Sequence, residues 1–406
     1  MISILYQAAK FYKNWRKCIG QAPYYVELLV TTKCNLKCVM CNVWKLRVKK
    51  PHIEKNEISI FQLKKLLHEL QRIGTRVVYL SGGEPLLKNG ILSLIRAAKK
   101  EKLRVGLFTN GTVITPALAH SLLSSGLDHI IFSIDSPRAS IHDQIRGVNG
   151  AWKKAVLGMQ VLSTLRKELN RSLRISINML VARTNYNLIE EMIDCKPQLG
   201  YDDIEFLPLI NRTSASKNLL LAKEDLKNLK KHLPAIEKKL REQKLPPHVL
   251  FSLISICQDV DKSEKGKYGR YTLLLPEDLK DEVSCFAPWN MATIDPFGNV
   301  YPCCYACTFQ NLSDNLACAR WGEEEFSMGN IHKEPFEKIW NGREFILFRE
   351  RCKHPPAFPM CEACGYDFSR NVVLTGLFKC KGLLLRYVSY TLSRRINNVK
   401  IIRRKT

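Results

Sequence analysis

Six short segments rich in β-branched and aromatic residues recur in the first half of the chain, and helix-length stretches separate them. The β-rich segments are residues 25–31, 76–80, 104–108, 129–134, 173–181 and 203–209. Helical patterning occupies intervening stretches such as 60–73, 91–101 and 152–168. This alternation is typical of βα units joined in a parallel sheet. Six units predict an α/β fold, a partial (β/α)6 barrel that stays open rather than a closed eight-stranded one.

The residues that follow these segments are unusual. TTKC comes after the first segment, SGGEP after the second and TNG after the third, and SIDS ends the fourth. Because the carboxyl ends of parallel strands meet at one face of a barrel, we expect the active chemistry at that face.

The composition divides the chain further. A basic segment, residues 1–22, precedes the predicted barrel core at 23–213. Residues 214–284 are rich in Lys, Leu and Glu, which predicts a helical linker. Residues 285–370 hold eight cysteines and predict a small α+β domain that depends on bound metal. Residues 371–406 form a basic tail.

The chain is strongly basic. Its 63 Lys and Arg exceed its 38 acidic residues, for a formal net charge of +25. Four of these charges lie in residues 1–26 and nine in residues 371–406, neither of which contains an acidic residue. A charge of this size favours an anionic partner or surface, and its placement assigns that role to the termini rather than to a central groove.

The tail repeats Leu384, Val388 and Leu392 at intervals of four, with basic residues between them. This pattern predicts a basic amphipathic helix on an anionic membrane surface, and the alternative is a helix that packs on the protein's own core. No apolar run reaches the ~18 to 20 residues that span a bilayer. The N-terminus carries its positive charges after its apolar residues, unlike a secretory signal. We expect a cytoplasmic protein, peripheral to the inner face of the membrane if the tail binds there.

Fifteen cysteines favour thiolate ligation over disulfides in a cytoplasmic chain. Cys34, Cys38 and Cys41 directly follow the first predicted strand. Their spacing also suits one face of a buried helix. The predicted strand, however, already ends at Thr31, and the polar residues Asn35 and Lys37 favour a loop. Structural zinc needs four ligands, and this loop offers three. Three thiolates suit a cubane iron-sulfur cluster with one iron left open.

With this CxxxCxxC spacing, the sequence resembles the radical S-adenosylmethionine (SAM) superfamily. The resemblance implies that the three cysteines hold a [4Fe-4S] cluster, that SAM binds the open iron, and that an electron from the cluster cleaves SAM to a 5′-deoxyadenosyl radical. Further elements match the family: the GGEP motif, TNG, the SxD element and, in a supporting role, Arg146 with Gly147. The residues with implied SAM-binding roles are Met40, Gly82, Gly83, Glu84, Pro85, Thr109, Asn110, Ser133 and Asp135. Met40 stands where the family usually has an aromatic residue.

The region 285–364 resembles the SPASM extension, or its shorter twitch form, which holds auxiliary iron-sulfur clusters. The resemblance implies one auxiliary [4Fe-4S] cluster with four thiolate ligands, Cys285, Cys303, Cys361 and Cys364. Cys304 competes with Cys303 for the second position. A turn at 295–299 predicts a hairpin that brings Cys285 close to Cys303. The other cysteines are assigned to packing or incidental roles, and these are Cys18, Cys195, Cys257, Cys307, Cys318 and Cys352.

These features predict an enzyme that abstracts hydrogen from a peptide, a sugar or cyclitol, or a lipid-linked substrate. Oxidation, epimerisation and crosslinking are all compatible, and no catalytic acid or base is identifiable. The auxiliary cluster is expected to transfer electrons, and the expected protein partner is an electron donor such as flavodoxin or ferredoxin.

Two alternatives remain at this point. The charge of +25 suits a radical SAM enzyme that modifies RNA, but no module with interleaved basic and aromatic residues is evident, which disfavours nucleic acid. A non-enzymatic zinc-binding interaction protein explains the late CxxC pair. It does not explain the early cysteine triad with GGEP.

Overall fold

The computed structural model describes residues 22–209, 214–257, 285–304 and 327–353, together with Cys18, Gly20, Ala306 and Cys307. The predicted tail, most of the N-terminal segment, and Cys318, Cys361 and Cys364 lie outside the described residues. Of the helices described, none has the length and apolar character needed to cross a membrane.

One nine-stranded sheet organises the described residues, with the strand order β6-β5-β4-β3-β2-β1-β7-β8-β9. Strands β1 to β6 pair in parallel, each with its neighbour in sequence. The strands are β1 (Tyr25–Thr31), β2 (Val77–Gly82), β3 (Arg104–Thr109), β4 (His129–Ser133), β5 (Arg174–Val181), β6 (Asp203–Pro208), β7 (Met291–Ile294), β8 (Asn299–Tyr301) and β9 (Gly329–Asn330). The six predicted strands and the open, partial α/β barrel are confirmed.

Helices follow the strands as predicted. In the described part of the chain they are α1 (Val43–Lys49), α2 (Ile60–Ile73), α3 (Ile91–Lys100), α4 (Pro116–Ser124), α5 (Ala139–Arg146), α6 (Ala151–Glu168), α7 (Ile189–Asp194), α8 (Lys196–Leu199), α9 (Lys223–Glu242), α10 (His248–Cys257), α11 (Ala287–Asn290), α12 (Phe336–Trp340) and α13 (Arg343–Cys352). Helices α9 and α10 occupy the predicted linker, and α10 packs against β6.

The main core lies between the sheet and the helices on its outer face. Helix α2 is a typical layer element: a capping box of Ser59 and Gln62 begins it, and Gly74, with a φ of 109°, ends it. Its buried leucines pack in one cluster with Val26 and Leu28 of β1. Because strand residues alternate between the two faces, the remaining strand residues line the inner face of the barrel.

The sheet crosses the predicted domain boundary at residue 285. Strand β7 pairs in parallel with β1, with Glu27 opposite Thr293, and β7 and β8 form the predicted antiparallel hairpin. Asp295 builds its turn, since Oδ1 accepts hydrogen bonds from the backbone amides of Phe297 and Asn299. The second cysteine-rich region therefore begins as an extension of the barrel sheet.

Candidate active site

The first cysteine cluster lies in an irregular loop between β1 and α1. Residues 32–42 form no helix, so the alternative of a buried helix face is wrong. Two backbone hydrogen bonds tie the loop to the end of α5, from Lys37 N to Arg146 O and from Val39 N to Ile145 O. A third bond runs from Trp44 Nε1 to the Cys38 carbonyl at 3.0 Å. The loop is thus held in place by the barrel.

The three thiols pack on one small apolar cluster that includes Leu36, Met40 and Ile145. Burial raises the pKa of Cys34 to about 11 and that of Cys38 to about 12. A metal that binds such thiols displaces their protons and is held by the thiolates. Among the described residues, no group of three or more His, Cys, Asp or Glu side chains has the arrangement that would hold a single metal ion. Three thiolates from one loop suit a cubane cluster, in which each thiolate binds a separate iron and one iron stays open.

The GGEP motif packs on the backbone that leads to Cys34. A Cβ atom on Gly83 would lie 2.2 Å from the Lys33 carbonyl oxygen, and one on Gly82 would lie 2.6 Å from that of Thr31. The backbone amide of Gly83 donates to Thr31 O at 2.7 Å. Glycine is therefore required here because two backbones touch.

The Glu84 side chain is turned into the protein. Its carboxylate accepts hydrogen bonds from the Leu86 and Asn110 amides and from the Thr109 hydroxyl, at 3.1, 2.7 and 2.9 Å. Burial raises the pKa of Glu84 to about 7, although these hydrogen bonds favour its charged form. Glu84 thus joins the carboxyl ends of β2 and β3, and Pro85 begins the short 3-10 turn that follows it.

The Asn110 side chain links the third strand end to the cysteine loop. Its Nδ2 donates to Asn35 Oδ1 at 2.9 Å, and its Oδ1 accepts from the Thr112 hydroxyl at 2.6 Å. Asn35 Nδ2 donates in turn to the same hydroxyl at 2.7 Å. Thr109 and Asn110 are therefore brought together with GGEP and the cysteine triad.

Asp135 forms a buried ion pair with Arg146, with 2.7 Å between Oδ2 and Nε. Its Oδ1 accepts a hydrogen bond from the Leu180 amide at 3.0 Å. Arg146 Nη1 lies 3.9 Å from Cys38 Sγ, where its charge favours the thiolate. Ser133, at the end of β4, is half-buried on the inner face beside Asn178. Asp135 therefore positions Arg146 behind the cysteine loop.

Several inner-face residues near this site were not identified from the sequence. Each of them is half-buried, whereas its neighbours along the strand are buried in the outer core. These residues are Glu27, Tyr79, Phe108, Asn178 and Glu205. The rings of Tyr79 and Phe108 are 5.6 Å apart. Ser252 of α10 donates to Glu205 Oε1 at 2.7 Å. The sequence signal that could have identified these residues is the alternation along each strand of apolar residues on the outer face with other residues on the inner face.

The second cysteine region gathers more thiols than the sequence predicts. Cys285 and Cys303 pack on the same apolar cluster, which also contains Cys307 and Cys352. Cys285 N donates to Cys352 O at 3.1 Å. The Cys352 thiol also hydrogen-bonds the Cys285 sulfur and lowers the pKa of Cys285. Cys352 thus lies beside a predicted cluster ligand, whereas Cys361 and Cys364 are outside the described residues.

Two family models match the chain. The radical SAM superfamily model matches residues 28–195, and the SPASM iron-sulfur cluster-binding domain model matches residues 285–365. An AdoMet-dependent heme synthase from Methanosarcina barkeri (strain Fusaro / DSM 804) is 24% identical over 348 residues, 85% of this chain and 89% of that one.

A peptide cyclase and a protein known bound to a precursor peptide are also similar. A PqqA peptide cyclase from Ruegeria pomeroyi (strain ATCC 700808 / DSM 15171 / DSS-3) is 24% identical over 371 residues, 90% of this chain and 84% of that one. The crystal structure of Streptococcus suis SuiB bound to S-adenosylmethionine matches with a TM-score of 0.60 and 16% identity, over 88% of this chain and 76% of that one. SuiB is also known bound to its precursor peptide SuiA, with a TM-score of 0.57 and 14% identity, over 88% and 75% of the two chains.

Proposed function

This chain belongs to the radical SAM superfamily and carries a C-terminal SPASM domain, and on that premise we propose that it modifies a peptide. SAM and [4Fe-4S] clusters are its cofactors. When bound, SAM at the open iron supplies a 5′-deoxyadenosyl radical that takes one hydrogen atom from the substrate. Cys34, Cys38 and Cys41 are the ligands that we assign to this cluster.

The observation that carries the peptide assignment is the chemistry of the inner face. Glu27 and Glu205 place two carboxylates there, and Tyr79 and Phe108 add an aromatic surface. Two arginines at the starts of inner-face strands are already engaged, since Arg174 is paired with Asp203 and Arg104 donates to Tyr24. This lining offers hydrogen-bond acceptors and an aromatic surface, which suit the amino groups and amides of a peptide.

The relatives divide between those two substrate classes. One is named as a heme synthase and another as a peptide cyclase. Tetrapyrroles of the heme pathway carry several carboxylate side chains, and the arginines that could meet them, Arg104 and Arg174, are already engaged by Tyr24 and Asp203. The lining supports the peptide over the tetrapyrrole, and it gives no support to a sugar or lipid-linked substrate over a peptide.

Asn178 and Ser133 are the polar groups that we assign to hold the substrate near the SAM-binding residues. They are paired neighbours on β5 and β4, and both are half-buried. A carboxamide both donates and accepts hydrogen bonds, as a peptide backbone requires. Glu205, which accepts from Ser252 and lies 3.9 Å from His248, adds a hydrogen-bond acceptor on the same face.

Hydrogen transfer itself offers the test, because the hydrogen taken from the substrate remains in 5′-deoxyadenosine. Cells that lack the gene would be grown on deuterated amino acids or, in parallel, on deuterated glucose. Their extracts would be incubated anaerobically with reconstituted enzyme, SAM and a reductant. A peptide substrate places deuterium in 5′-deoxyadenosine from the amino-acid-labelled extract, in a fraction that protease destroys. Label only from the glucose extract, or label that resists protease, contradicts the peptide assignment.

A pair of variants tests the lining in the same assay. Glu205→Gln is expected to reduce deuterium transfer while uncoupled SAM cleavage continues. Glu190→Gln is the matched control, since Glu190 bonds His232 on the outer side of the barrel. Equal transfer by both variants would remove Glu205 from the substrate site.

We assign Cys285, Cys303, Cys361 and Cys364 to one auxiliary [4Fe-4S] cluster that exchanges electrons with the substrate radical. A flavodoxin or ferredoxin is the proposed reductant of the first cluster. The non-enzymatic zinc-binding alternative is not retained, because the chain belongs to an enzyme family. RNA modification has no support from the described inner face, because its Arg104 and Arg174 are already engaged by Tyr24 and Asp203 and are not available to phosphates.

A further inference from the structure

Arg349 is a fully buried cation in the second cysteine region. It lies on α13, and its side chain is 0% exposed. Nε donates to the carbonyl of Pro288 at 3.0 Å, and Nη1 donates to those of Trp340 and Cys18 at 2.9 and 3.3 Å. The guanidinium carbon is 4.3 Å from the centroid of the Trp340 ring. Carbonyl dipoles and a π face thus surround the charge.

A countercharge is missing among the described residues. Arg349 makes no ion pair with any carboxylate they contain, and its Nη2 has no hydrogen-bond partner there. The carboxylate on the next residue, Glu350, is engaged by the Cys18 thiol at 2.6 Å and by Lys353 at 2.8 Å. A buried cation normally has an anionic partner, because the loss of hydration penalises a charge that is left unpaired. The site therefore calls for a negative charge from elsewhere.

The groups best placed to supply that charge are sulfur atoms. Ionised sulfur at Cys352 favours the charged form of Arg349, against the burial that lowers its pKa to about 9. Cys352 follows Arg349 by three residues on α13, so both side chains lie on one helix face. The Cys352 thiol contacts Cys285, and Arg349 itself bonds the carbonyl of Pro288, three residues beyond Cys285. The guanidinium thus lies beside the backbone that presents Cys285.

We propose that Arg349 is the countercharge of the auxiliary cluster held through Cys285, and that it raises the reduction potential of that cluster. The inference rests on the proposed auxiliary cluster. A cubane with four thiolates is anionic and becomes more so on reduction, so a nearby buried cation stabilises the reduced form. Arg349 acts through space and touches no reacting atom.

The test isolates the auxiliary cluster in a chain that carries Cys34→Ala, Cys38→Ala and Cys41→Ala. In this background Arg349 is changed to Lys, to Gln or to Met, and the cluster potential is measured by a redox titration followed by EPR. Gln keeps N–H donors for the carbonyls, and Met keeps the length without charge. We expect the Gln and Met variants to lower the equilibrium constant for reduction at least tenfold, about 59 mV for a one-electron couple. The Lys variant should stay within twofold of Arg349.

Each outcome separates the possibilities. If the triple variant binds no iron, the auxiliary cluster itself is wrong. If iron binds and the four chains share one potential, the countercharge is wrong. If the Gln and Met chains fold by circular dichroism but lose iron that the Lys chain keeps, the charge is needed to hold the cluster. Loss of iron in the Lys chain as well indicates a requirement for shape and overturns the proposal.

Discussion

Asp135 and Arg146 form a buried ion pair behind the cysteine loop, in which Arg146 Nε lies 2.7 Å from Asp135 Oδ2. The same guanidinium reaches Cys38 through Nη1. The local sequence does not predict this pairing, because Asp135 follows β4 and Arg146 ends α5. The pair nevertheless holds the Arg146 guanidinium beside Cys38.

Asp135→Asn should leave Arg146 buried without its partner. We expect the free energy of unfolding of the apo-protein to fall by about 3–5 kcal/mol, as when one member of a buried pair is removed. Urea unfolding followed by circular dichroism measures this. Glu191→Gln, which breaks the exposed pair with Arg138, should cost about 0–1 kcal/mol. Equal losses in the two variants would show that Arg146 does not depend on Asp135.

Substitution of Cys34, Cys38 or Cys41 by Ala should abolish reductive cleavage of SAM, because losing a thiolate exposes a second iron. Anaerobically reconstituted wild-type protein should contain ~8 iron atoms per chain and each variant ~4, the content of the auxiliary cluster. Iron analysis and chromatography of 5′-deoxyadenosine provide the readouts. Cleavage at the wild-type rate in any of the three would sink the assignment, and a wild-type count near ~12 would require a third cluster.

Gly83→Ala should displace the cysteine loop, because its new Cβ would meet the Lys33 carbonyl oxygen at 2.2 Å. We expect iron at the first cluster to fall below half of the wild-type amount. Gly150→Ala is the matched control: Gly150 has a φ of 78° and open space around it, so the cost is only about 1 kcal/mol of backbone strain. Similar iron contents in both variants would contradict a steric role for Gly83.

Glu84 should make stability fall as the pH rises. Its pKa is about 7 in the folded protein and about 4.5 when unfolded. The folded state therefore holds the proton more tightly, and this contribution is complete below pH ~4.5 and lost by pH ~7, about 3 kcal/mol in all. Burial lowers the pKa of His129 to about 4 and that of His142 to about 3, which makes stability rise over part of this range.

The Glu84 contribution is therefore measured as a difference. Free energies of unfolding of the wild type and of Glu84→Gln, taken from pH 4.5 to 7.5, cancel the histidines. The wild type should lose stability relative to the variant as the pH rises. A difference that stays constant over this range would mean that the carboxyl is not held protonated.

Cys352→Ala should weaken the auxiliary cluster without removing a predicted ligand. The thiol that hydrogen-bonds Cys285 is lost, and such outer contacts typically change metal affinity 10- to 100-fold. Iron release to a chelator should accelerate in Cys352→Ala, whereas Cys285→Ala should lose the cluster. Cys257→Ala is the control. Cys257 ends α10 and lies in the main core, so this variant should release iron at the wild-type rate. Unchanged release from Cys352→Ala would return Cys352 to a packing role.

The features that depend on short-range sequence pattern could be predicted from the sequence. The six strands and the helices follow from periodicity, and GGEP and the cysteine triad could be recognised from their spacing. The inward turn of Glu84 could not be predicted, because its partners Thr109 and Asn110 come from the next strand end. The contact of Cys352 with Cys285 likewise joins residues far apart in sequence. Such pairings depend on how α13 packs, which no short segment encodes.

The pairing of β7 with β1 has a consequence for how such a chain can be shortened. A protein cut before residue 285 would keep the first cysteine triad but expose the backbone groups of β1 along the whole stretch that Met291–Ile294 now covers. An open edge of this kind recruits strands from other molecules. Expression of the barrel alone is therefore expected to yield aggregates, and any useful truncation must retain the strand that closes this edge.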